Sequence, residues 1–267
     1  RKRPVMPAGS AERGASVSLD LDNLWSYLRM RGDDRWHARQ SYLARVVPPM
    51  LDFLERRDMK ITFFVVGADA MDPENADILR AIGAAGHEVA NHSHEHDPTM
   101  HGWSRDEIAR DIATAEAAIE EVVGTRPVGY RGPGFTWSEA VLAVLADRDY
   151  LYDASTLPTF LGPLARAYYL RTAGLSRASR QERGRVFGEF RDGLRPVRPY
   201  AWQQPSGRDL LEIPVTTFPL LKVPFHVSYL LYLARWSRAL MESYFAAALA
   251  ACRLHRVEPS LMLHTLD

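Results

Sequence analysis

The chain has 267 residues, enough for one large hydrophobic core, and its 46% hydrophobic and 25% charged content is typical of a globular domain. Basic and acidic residues number 33 each, and the resulting zero net charge argues against a nucleic-acid-binding protein, which needs a basic surface. The single cysteine, Cys252, excludes an intrachain disulfide and a cysteine-rich zinc site.

Neither a targeting signal nor a membrane span is predicted. Residues 1–4 are mostly basic, but no apolar run follows them, so we expect no signal peptide. The most apolar stretch, 218–236, is interrupted by Pro219, Lys222 and Pro224, which argues against a membrane-spanning helix. Because a single cysteine fits a reducing compartment, we expect a cytoplasmic protein, with peripheral membrane contact as an alternative.

Predicted strands and helices alternate along the chain. Strands are indicated by β-branched or alternating apolar runs, and helices by apolar residues spaced three and four apart. In chain order, the predicted elements are strand 17–22, helix 41–57, strand 61–66, helix 76–85, strand 87–90, helix 106–123, strand 127–130, helix 138–148, strand 150–153, strand 210–215, an apolar helical stretch at 227–254 and strand 260–264. This α/β order favours a parallel sheet, and a distorted (β/α) barrel with fewer than eight regular strands fits it better than an open sheet.

The segment from about 158 to 207 breaks this alternation. It is rich in arginine, proline and glycine, yet it carries more aromatic residues than a disordered linker would. We therefore predict a single domain over residues 1–267. The segment is expected to be an insertion that folds onto the barrel mouth, meaning the face formed by the carboxyl ends of the strands.

A cluster of histidines follows the predicted strand 87–90. His92 and His96 are four residues apart, so on one helical turn both imidazoles can point at one metal ion. His94 lies two residues from each and is expected to point elsewhere. The alternative is a polar turn with solvated histidines.

Two acidic residues, Asp20 and Asp22, end the first predicted strand. Side chains two residues apart in a strand share a side, and residues at the carboxyl ends of different barrel strands converge on one face. A set of two histidines and one carboxylate leaves coordination positions open for water and a substrate carbonyl, as a hydrolytic site requires.

The sequence resembles the polysaccharide deacetylases (carbohydrate esterase family 4) from about Ser18 to His264. The His-Ser-x-x-His block and the Arg-x-Pro-Gly block are the specific features. Five blocks occur in the family's order, namely Ser18 to Asn23, His92 to His96, Tyr130-Arg131-Gly132-Pro133-Gly134, Tyr152-Asp153-Ala154-Ser155 and Leu261-Met262-Leu263-His264.

The resemblance implies a role for each matching residue. Asp20 is expected to be the general base and Arg131 the residue that orients it. His264 is expected to be the general acid, supported by Asp153. The implied metal ligands are Asp22, His92 and His96. Where the family usually has adjacent aspartates, this chain has Asp20-Leu21-Asp22, so which aspartate binds the metal stays open; we favour Asp22.

Residues beside these blocks are candidates for substrate contact. Trp25 follows the acidic block and Phe135 follows Arg131, and either ring could stack on a sugar or simply pack. Tyr130, Pro133 and Gly134 of the arginine block are further candidates. Four histidines without a pattern are expected to be structural, namely His87, His101, His226 and His255.

These features predict a metal-dependent hydrolase that removes an N-acetyl group from an amino sugar in a glycan or glycan precursor. The expected cofactor is one divalent transition metal ion, zinc in the first place, with cobalt, nickel and iron as alternatives. The expected partner is an N-acylated amino sugar or glycan. One alternative is deformylation or deacetylation of a polyprenyl-phosphate-linked amino sugar at a membrane, and another is an inactive glycan-binding domain.

Overall fold

The computed structural model describes residues 14–204 and 207–267. Residues 1–4, on which the expected lack of a signal peptide is based, lie outside these ranges. The strands are β1 (Ser16–Leu21), β2 (Thr62–Val65), β3 (Glu88–Asn91), β4 (Gly129–Tyr130), β5 (Tyr152–Asp153), β6 (Tyr200–Trp202), β7 (Leu210–Glu212) and β8 (Ser260–His264). The helices are α1 (Leu24–Arg31), α2 (Leu43–Glu55), α3 (Gly67–Ala70), α4 (Ala76–Ala84), α5 (Arg105–Val123), α6 (Glu139–Asp147), α7 (Gly162–Thr172), α8 (Arg177–Glu182), α9 (Val227–Ala234) and α10 (Arg238–Leu254).

The eight strands form one sheet in the order β6-β7-β5-β4-β3-β2-β1-β8. Every neighbouring pair is parallel except β6 and β7. The sheet curls into a half-barrel with helices, so the predicted α/β distorted-barrel fold is confirmed. There are eight strands rather than fewer, although β4 and β5 have only two residues each. Pro127 cannot donate a ladder hydrogen bond, which is one reason why β4 is shorter than predicted.

Side chains along β1 point alternately into the hydrophobic core and toward the inner side of the sheet, where the candidate active site lies. Leu19 and Leu21 are buried in a cluster with Phe63 of β2 and the apolar sides of α2 and α4. Asp20, between them, pairs in register with Phe64 on one side and His264 on the other. Because side chains in register share a face, these three line the inner side of the curled sheet.

Helix α5 shows how local sequence sets an element's ends. The hydroxyl of Ser104 accepts a hydrogen bond from the Glu107 amide, and the Glu107 carboxylate accepts one from the Ser104 amide. The helix ends at Gly124, whose φ of 81° is the left-handed conformation that glycine adopts most readily. The predicted helix 106–123 with its glycine cap is confirmed.

The segment at about 158–207 contains α7, α8 and the edge strand β6. Nη1 of Arg183 donates a hydrogen bond to O of Met30, which lies in α1 immediately after the acidic block. The Phe187 amide donates to O of Gly134, in the loop after β4. Both contacts are made to segments that follow strands, helix α1 after β1 and the loop after β4, so the segment covers part of the barrel mouth. The single-domain organisation of the whole chain stays a prediction.

Among residues 14–204 and 207–267, we find no helix that combines the length and the apolar character needed to cross a bilayer.

Candidate active site

Three predicted metal ligands, Asp22, His92 and His96, face one another at the barrel mouth. Asp22 follows β1, the two histidines follow β3, and all three side chains are buried. Oδ1 of Asp22 lies 3.0 Å from Nε2 of His96 and 3.5 Å from Nε2 of His92. One ligand atom from each residue lies within 4.8 Å of the other two, so one metal ion could contact all three.

The polar atoms of these residues fit a divalent transition metal ion. Nδ1 of His92 lies 2.7 Å from O of Arg131, and as the donor it leaves the Nε2 lone pair facing Asp22. Oδ1 of Asp22 is buried and accepts no well-aligned hydrogen bond from the described residues. A buried carboxylate oxygen without a donor is costly, and a cation held between it and two imidazoles would compensate it.

The protonation states also suit metal binding. Burial opposes ionisation of Asp22, but the charges of His96 and His92 hold the pKa of its carboxyl well below the usual value. Burial lowers the pKa of His92, against the opposing effect of Asp20 and Asp22. An ionised carboxylate and a neutral imidazole are the forms that coordinate metals.

The histidine loop, residues 91–97, is not helical, so the predicted helical turn is wrong even though the two histidines converge. Ser93 has φ of 64° and His96 has φ of 48°, both in the left-handed region. The Ser93 amide donates to Oδ1 of Asn91, and the His96 amide donates to Oγ of Ser93. Side chains thus satisfy amides that a helix would pair with carbonyls, and the resulting turn brings His96 back beside His92.

Helices α5 and α3 hold the histidine loop in place through hydrogen bonds. Asp111 of α5 accepts hydrogen bonds from the amides of His94 and Glu95, at 2.8 and 3.0 Å. The amide of Gly67, at the start of α3, donates to O of Ser93. His94 does not belong to the metal-ligand cluster, as expected, and its Nε2 lies 3.7 Å from Glu95.

Asp20 is held by Arg131, which is 1% exposed. Nη1 of Arg131 donates to Oδ1 of Asp20 at 2.5 Å, while Nη2 donates to Oγ of Ser18 and Nε to O of Ala154. The other oxygen of Asp20, Oδ2, lies 3.9 Å from Nε2 of His92. Asp22 is closer to both imidazoles than Asp20 is, which favours Asp22 as the ligand and leaves Asp20 beside the ligand set.

His264 lies at the end of β8, in register with Asp20. Its Nδ1 lies 3.1 Å from Oγ of Ser228 and 3.6 Å from Oδ2 of Asp267. Burial alone would lower the pKa of His264. The hydrogen bond with Asp267 and the charges of Asp20 and Asp22 outweigh burial and raise it, which favours the protonated imidazole.

Asp153, the residue predicted to support His264, makes no direct hydrogen bond or ion pair with it among the described residues. Its Oδ1 accepts a hydrogen bond from Ser155, and its pKa is raised well above normal, first by burial and then by Glu212 on the neighbouring strand β7. Asp267, three residues after His264, is the carboxylate that contacts this imidazole.

Residues 32–152 match the sequence profile of the polysaccharide deacetylase family. The matched range includes the histidine loop and Arg131. The match covers less than half of the chain, and over that range the chain is similar to the polysaccharide deacetylases. The predicted resemblance to the polysaccharide deacetylases is thereby confirmed.

Individual relatives match parts of the chain. The chitooligosaccharide deacetylase of Sinorhizobium fredii is 36% identical over 101 residues, which is 38% of this chain and 46% of that protein. Peptidoglycan-N-acetylglucosamine deacetylase PgdA of Listeria monocytogenes is 32% identical over 90 residues, 34% of this chain and 19% of that protein. The chain therefore spans less than half the length of these relatives.

A solved structure shows the same fold over nearly the whole chain. It is described as a candidate polysaccharide deacetylase from Mycobacterium smegmatis, and it superposes with a TM-score of 0.61 at 21% identity. The match covers 98% of this chain and 81% of that one.

Two of the predicted substrate contacts lie in the interior of the protein. Trp25 is 1% exposed, its indole Nε1 donates to Oδ1 of Asp69, and its ring packs edge-on against His96, with 6.5 Å between ring centroids. Tyr130 is 0% exposed, and its hydroxyl contacts the sulfur of Met100. Both rings are therefore part of the packing, which was the alternative interpretation given for Trp25.

The remaining predicted contacts lie in the loop after β4. Pro133 and Phe135 are buried, while Gly134 is partly exposed. Gly134 and Phe135 both have positive φ angles, 62° and 59°. Phe135 packs 6.3 Å, between ring centroids, from His226.

His226 belongs to this region, although the sequence pattern gave it no role. It is buried, its ring centroid lies 6.4 Å from that of His264, and its Nδ1 has no hydrogen bond among the described residues. Burial, and then the charge of His264, lower the pKa of His226 to about 3, so its imidazole is neutral. No motif surrounds His226 in the sequence, so its position in the site could not be predicted. For Asp267, the only indication in the sequence is that it lies three residues after His264.

Proposed function

We propose that this chain is a metal-dependent hydrolase that removes the N-acetyl group from an amino sugar in a glycan. The observation that carries the proposal is the convergence of Asp22, His92 and His96 next to Asp20, with His264 on the adjoining strand. The names of the relatives, a chitooligosaccharide deacetylase and a peptidoglycan deacetylase, support this substrate class.

Asp22, His92 and His96 would hold the cofactor. A divalent ion bound there supplies Lewis-acid chemistry, polarising the acetamide carbonyl and making the attacking water more acidic. Two imidazoles and one carboxylate suit zinc, and also accept cobalt, nickel or iron. We propose zinc first.

Asp20 is positioned to act as the general base. Arg131 occupies Oδ1, so Oδ2 is the oxygen that faces the ligand set and is available to take the proton from the attacking water. Arg131 donates hydrogen bonds to three acceptors at once, and it therefore keeps the Asp20 carboxylate in one orientation. As water adds to the carbonyl carbon, the proton passes to Asp20.

His264 is positioned to act as the general acid. The carbon–nitrogen bond breaks as the sugar nitrogen takes a proton, which gives acetate and a free amine. Nδ1 of His264 faces Ser228 and Asp267, so Nε2 is the nitrogen available for donation. The pKa of His264 is raised, which favours the protonated imidazole that can donate this proton.

The test is acetate release from N-acetylated chito-oligosaccharides and from peptidoglycan fragments. The protein is first stripped with a chelator and then reloaded with zinc, cobalt or nickel. We expect release to fall on stripping, to return on reloading, and not to return in Asp22→Asn. Undiminished release after complete stripping would contradict the metal-dependent mechanism. Binding of the same sugars with no release by the reloaded protein would favour an inactive glycan-binding domain.

A further inference from the structure

Residues 218–240 form an exposed apolar surface, which we call the apolar ridge. It comprises a tight hairpin closed by the bridge between Thr217 and Pro224, followed by α9 and the first residues of α10. Large apolar side chains project from it into solvent. Leu220 is 76%, Leu221 64% and Trp236 77% exposed.

The ridge is firmly attached to the rest of the protein on its inner side. The Phe218 amide donates to O of Val223, and the ammonium group of Lys222 donates to O of Arg195. Phe225 and Leu230 are buried in a cluster with residues of α10. Because other residues fill this core, the outward-facing leucines and aromatics are not needed to form it.

The conformation of Leu220 indicates that this residue has a role other than stabilising the fold. Its φ is 69°, a left-handed conformation that glycine and asparagine adopt far more readily than leucine. A leucine at this position is unfavourable for the backbone, and at 76% exposure it gains little from burial. A contact with something outside the chain would account for its presence at the hairpin tip.

The charged residues within the apolar ridge are all basic. No aspartate or glutamate occurs anywhere in the stretch 213–241, in a chain that has 33 acidic residues. The same stretch contains Lys222, Arg235 and Arg238. Arg235 lies between the exposed Tyr232 and Trp236. Arg238 pairs with Glu242 just beyond this stretch and Lys222 donates to O of Arg195, so Arg235 is the cation that lies among the exposed aromatic side chains. A cation among exposed apolar side chains complements a surface that is apolar inside and anionic outside.

We propose that the apolar ridge docks the protein on an anionic lipid bilayer. Leu220, Leu221 and Trp236 enter the boundary between headgroups and acyl chains, while Arg235 stays at the level of the lipid phosphates. Helix α9 also carries Ser228, which contacts His264, so docking brings the barrel mouth close to the bilayer. The proposal concerns binding and does not depend on the hydrolytic reaction.

The experiment is co-sedimentation of the full chain with phosphatidylcholine vesicles, with and without phosphatidylglycerol. We expect binding to the anionic vesicles that decreases with salt, because surface charges are screened. The double variant Leu220→Ser, Leu221→Ser should lower the partition coefficient by at least about tenfold, because two exposed apolar side chains are lost. Arg235→Gln should lower it about fivefold, in line with the contribution of one cation near an anionic surface.

The matched control is Leu151→Ser. Leu151 is 64% exposed, as Leu221 is, but it precedes β5, at the end of the strands opposite the barrel mouth. This variant should sediment as the wild type does, and thermal unfolding should show that all variants are folded. The proposal is overturned if the wild type sediments with no vesicles, or if the double variant binds as well as the wild type. It is also overturned if the ridge instead mediates concentration-dependent self-association without any vesicle binding.

Discussion

Arg131 and Asp20, 111 residues apart in the chain, form a buried ion pair with 2.5 Å between Nη1 and Oδ1. The same guanidinium group donates to Ser18 on β1 and to O of Ala154 after β5, and it lies over the ring of Phe64 on β2. One side chain therefore connects the strand that carries the acidic block to two other strands of the half-barrel. Orientation of the base and local stability depend on the same contacts.

Replacing Arg131 with lysine should impair both the orientation of Asp20 and the stability of the protein. Lysine keeps the charge but has a single ammonium group, which cannot reach three acceptors that were fixed by a planar guanidinium. We expect acetate release to fall about 10- to 100-fold through misorientation of Asp20. Unfolding should become easier by about 1–3 kcal/mol, because buried acceptors lose their donor. Denaturant unfolding and initial rates measure the two effects.

The control for this variant is Arg126→Lys, in a more exposed pair with Glu116 that is remote from the site. It should change the rate little. A rate for Arg131→Lys equal to that of the wild type would contradict the orienting role of Arg131.

The variants Asp20→Asn and Asp22→Asn should distinguish the general base, Asp20, from the metal ligand, Asp22. In Asp20→Asn the side-chain amide oxygen can still accept the hydrogen bond from Arg131, but an amide cannot take a proton from water. We expect acetate release to fall by about 10²- to 10⁴-fold in Asp20→Asn, with metal content unchanged. Asp22→Asn should instead lose metal affinity, because a neutral amide replaces the anionic ligand. Metal analysis after dialysis, together with rates, distinguishes the two variants; metal loss in Asp20→Asn would contradict the assignment.

The sequence predicted the parts of the site that depend on short-range rules. Alternation along β1 placed Asp20 opposite the buried Leu19 and Leu21, as the structure has it. The convergence of the histidines with Asp22 was also predicted, since the carboxyl ends of parallel strands meet on one face. The expected helical turn at the histidines was wrong, because hydrogen bonds to Asn91 and Asp111 stabilise a different turn.

The remaining parts depend on how distant segments pack, which no local pattern specifies. Trp25 was a candidate for sugar contact, but the carboxylate of Asp69 offers its indole a partner in the interior. The partner predicted for His264 was Asp153, which is instead beside Ser155 and Glu212. His226 precedes α9 and approaches His264 because α9 packs against β8, and nothing near His226 in sequence indicates this.

Gly67 is a position where packing allows no side chain. A Cβ atom there would lie 2.5 Å from Cα of Ala115 and 2.8 Å from Nδ1 of His94. Gly67→Ala should therefore push α3 away from α5 and displace the histidine loop. We expect a loss of about 1–3 kcal/mol in the free energy of unfolding and weaker metal binding.

Gly102→Ala is the matched control, since a Cβ atom at Gly102 would meet nothing within 4 Å. It should unfold and bind metal as the wild type does. If Gly67→Ala were equally stable, the close approach of α3 and α5 would not be a constraint on the fold.

Asp267→Asn should move the alkaline limb of the pH–rate profile to lower pH. His264 donates a proton only while it is protonated, so activity falls as pH rises through its pKa. The pKa of His264 is raised, against burial, by the hydrogen bond with Asp267 and by the charges of Asp20 and Asp22. Removing the Asp267 carboxylate removes part of that stabilisation of the imidazolium, so the pKa falls and activity is lost earlier on the alkaline side. Profiles of kcat/KM measure this, with Asp149→Asn, whose carboxylate pairs with Arg208 on the surface, as the control that should leave the limb in place. An unmoved limb in Asp267→Asn would mean that Asp267 does not tune the acid.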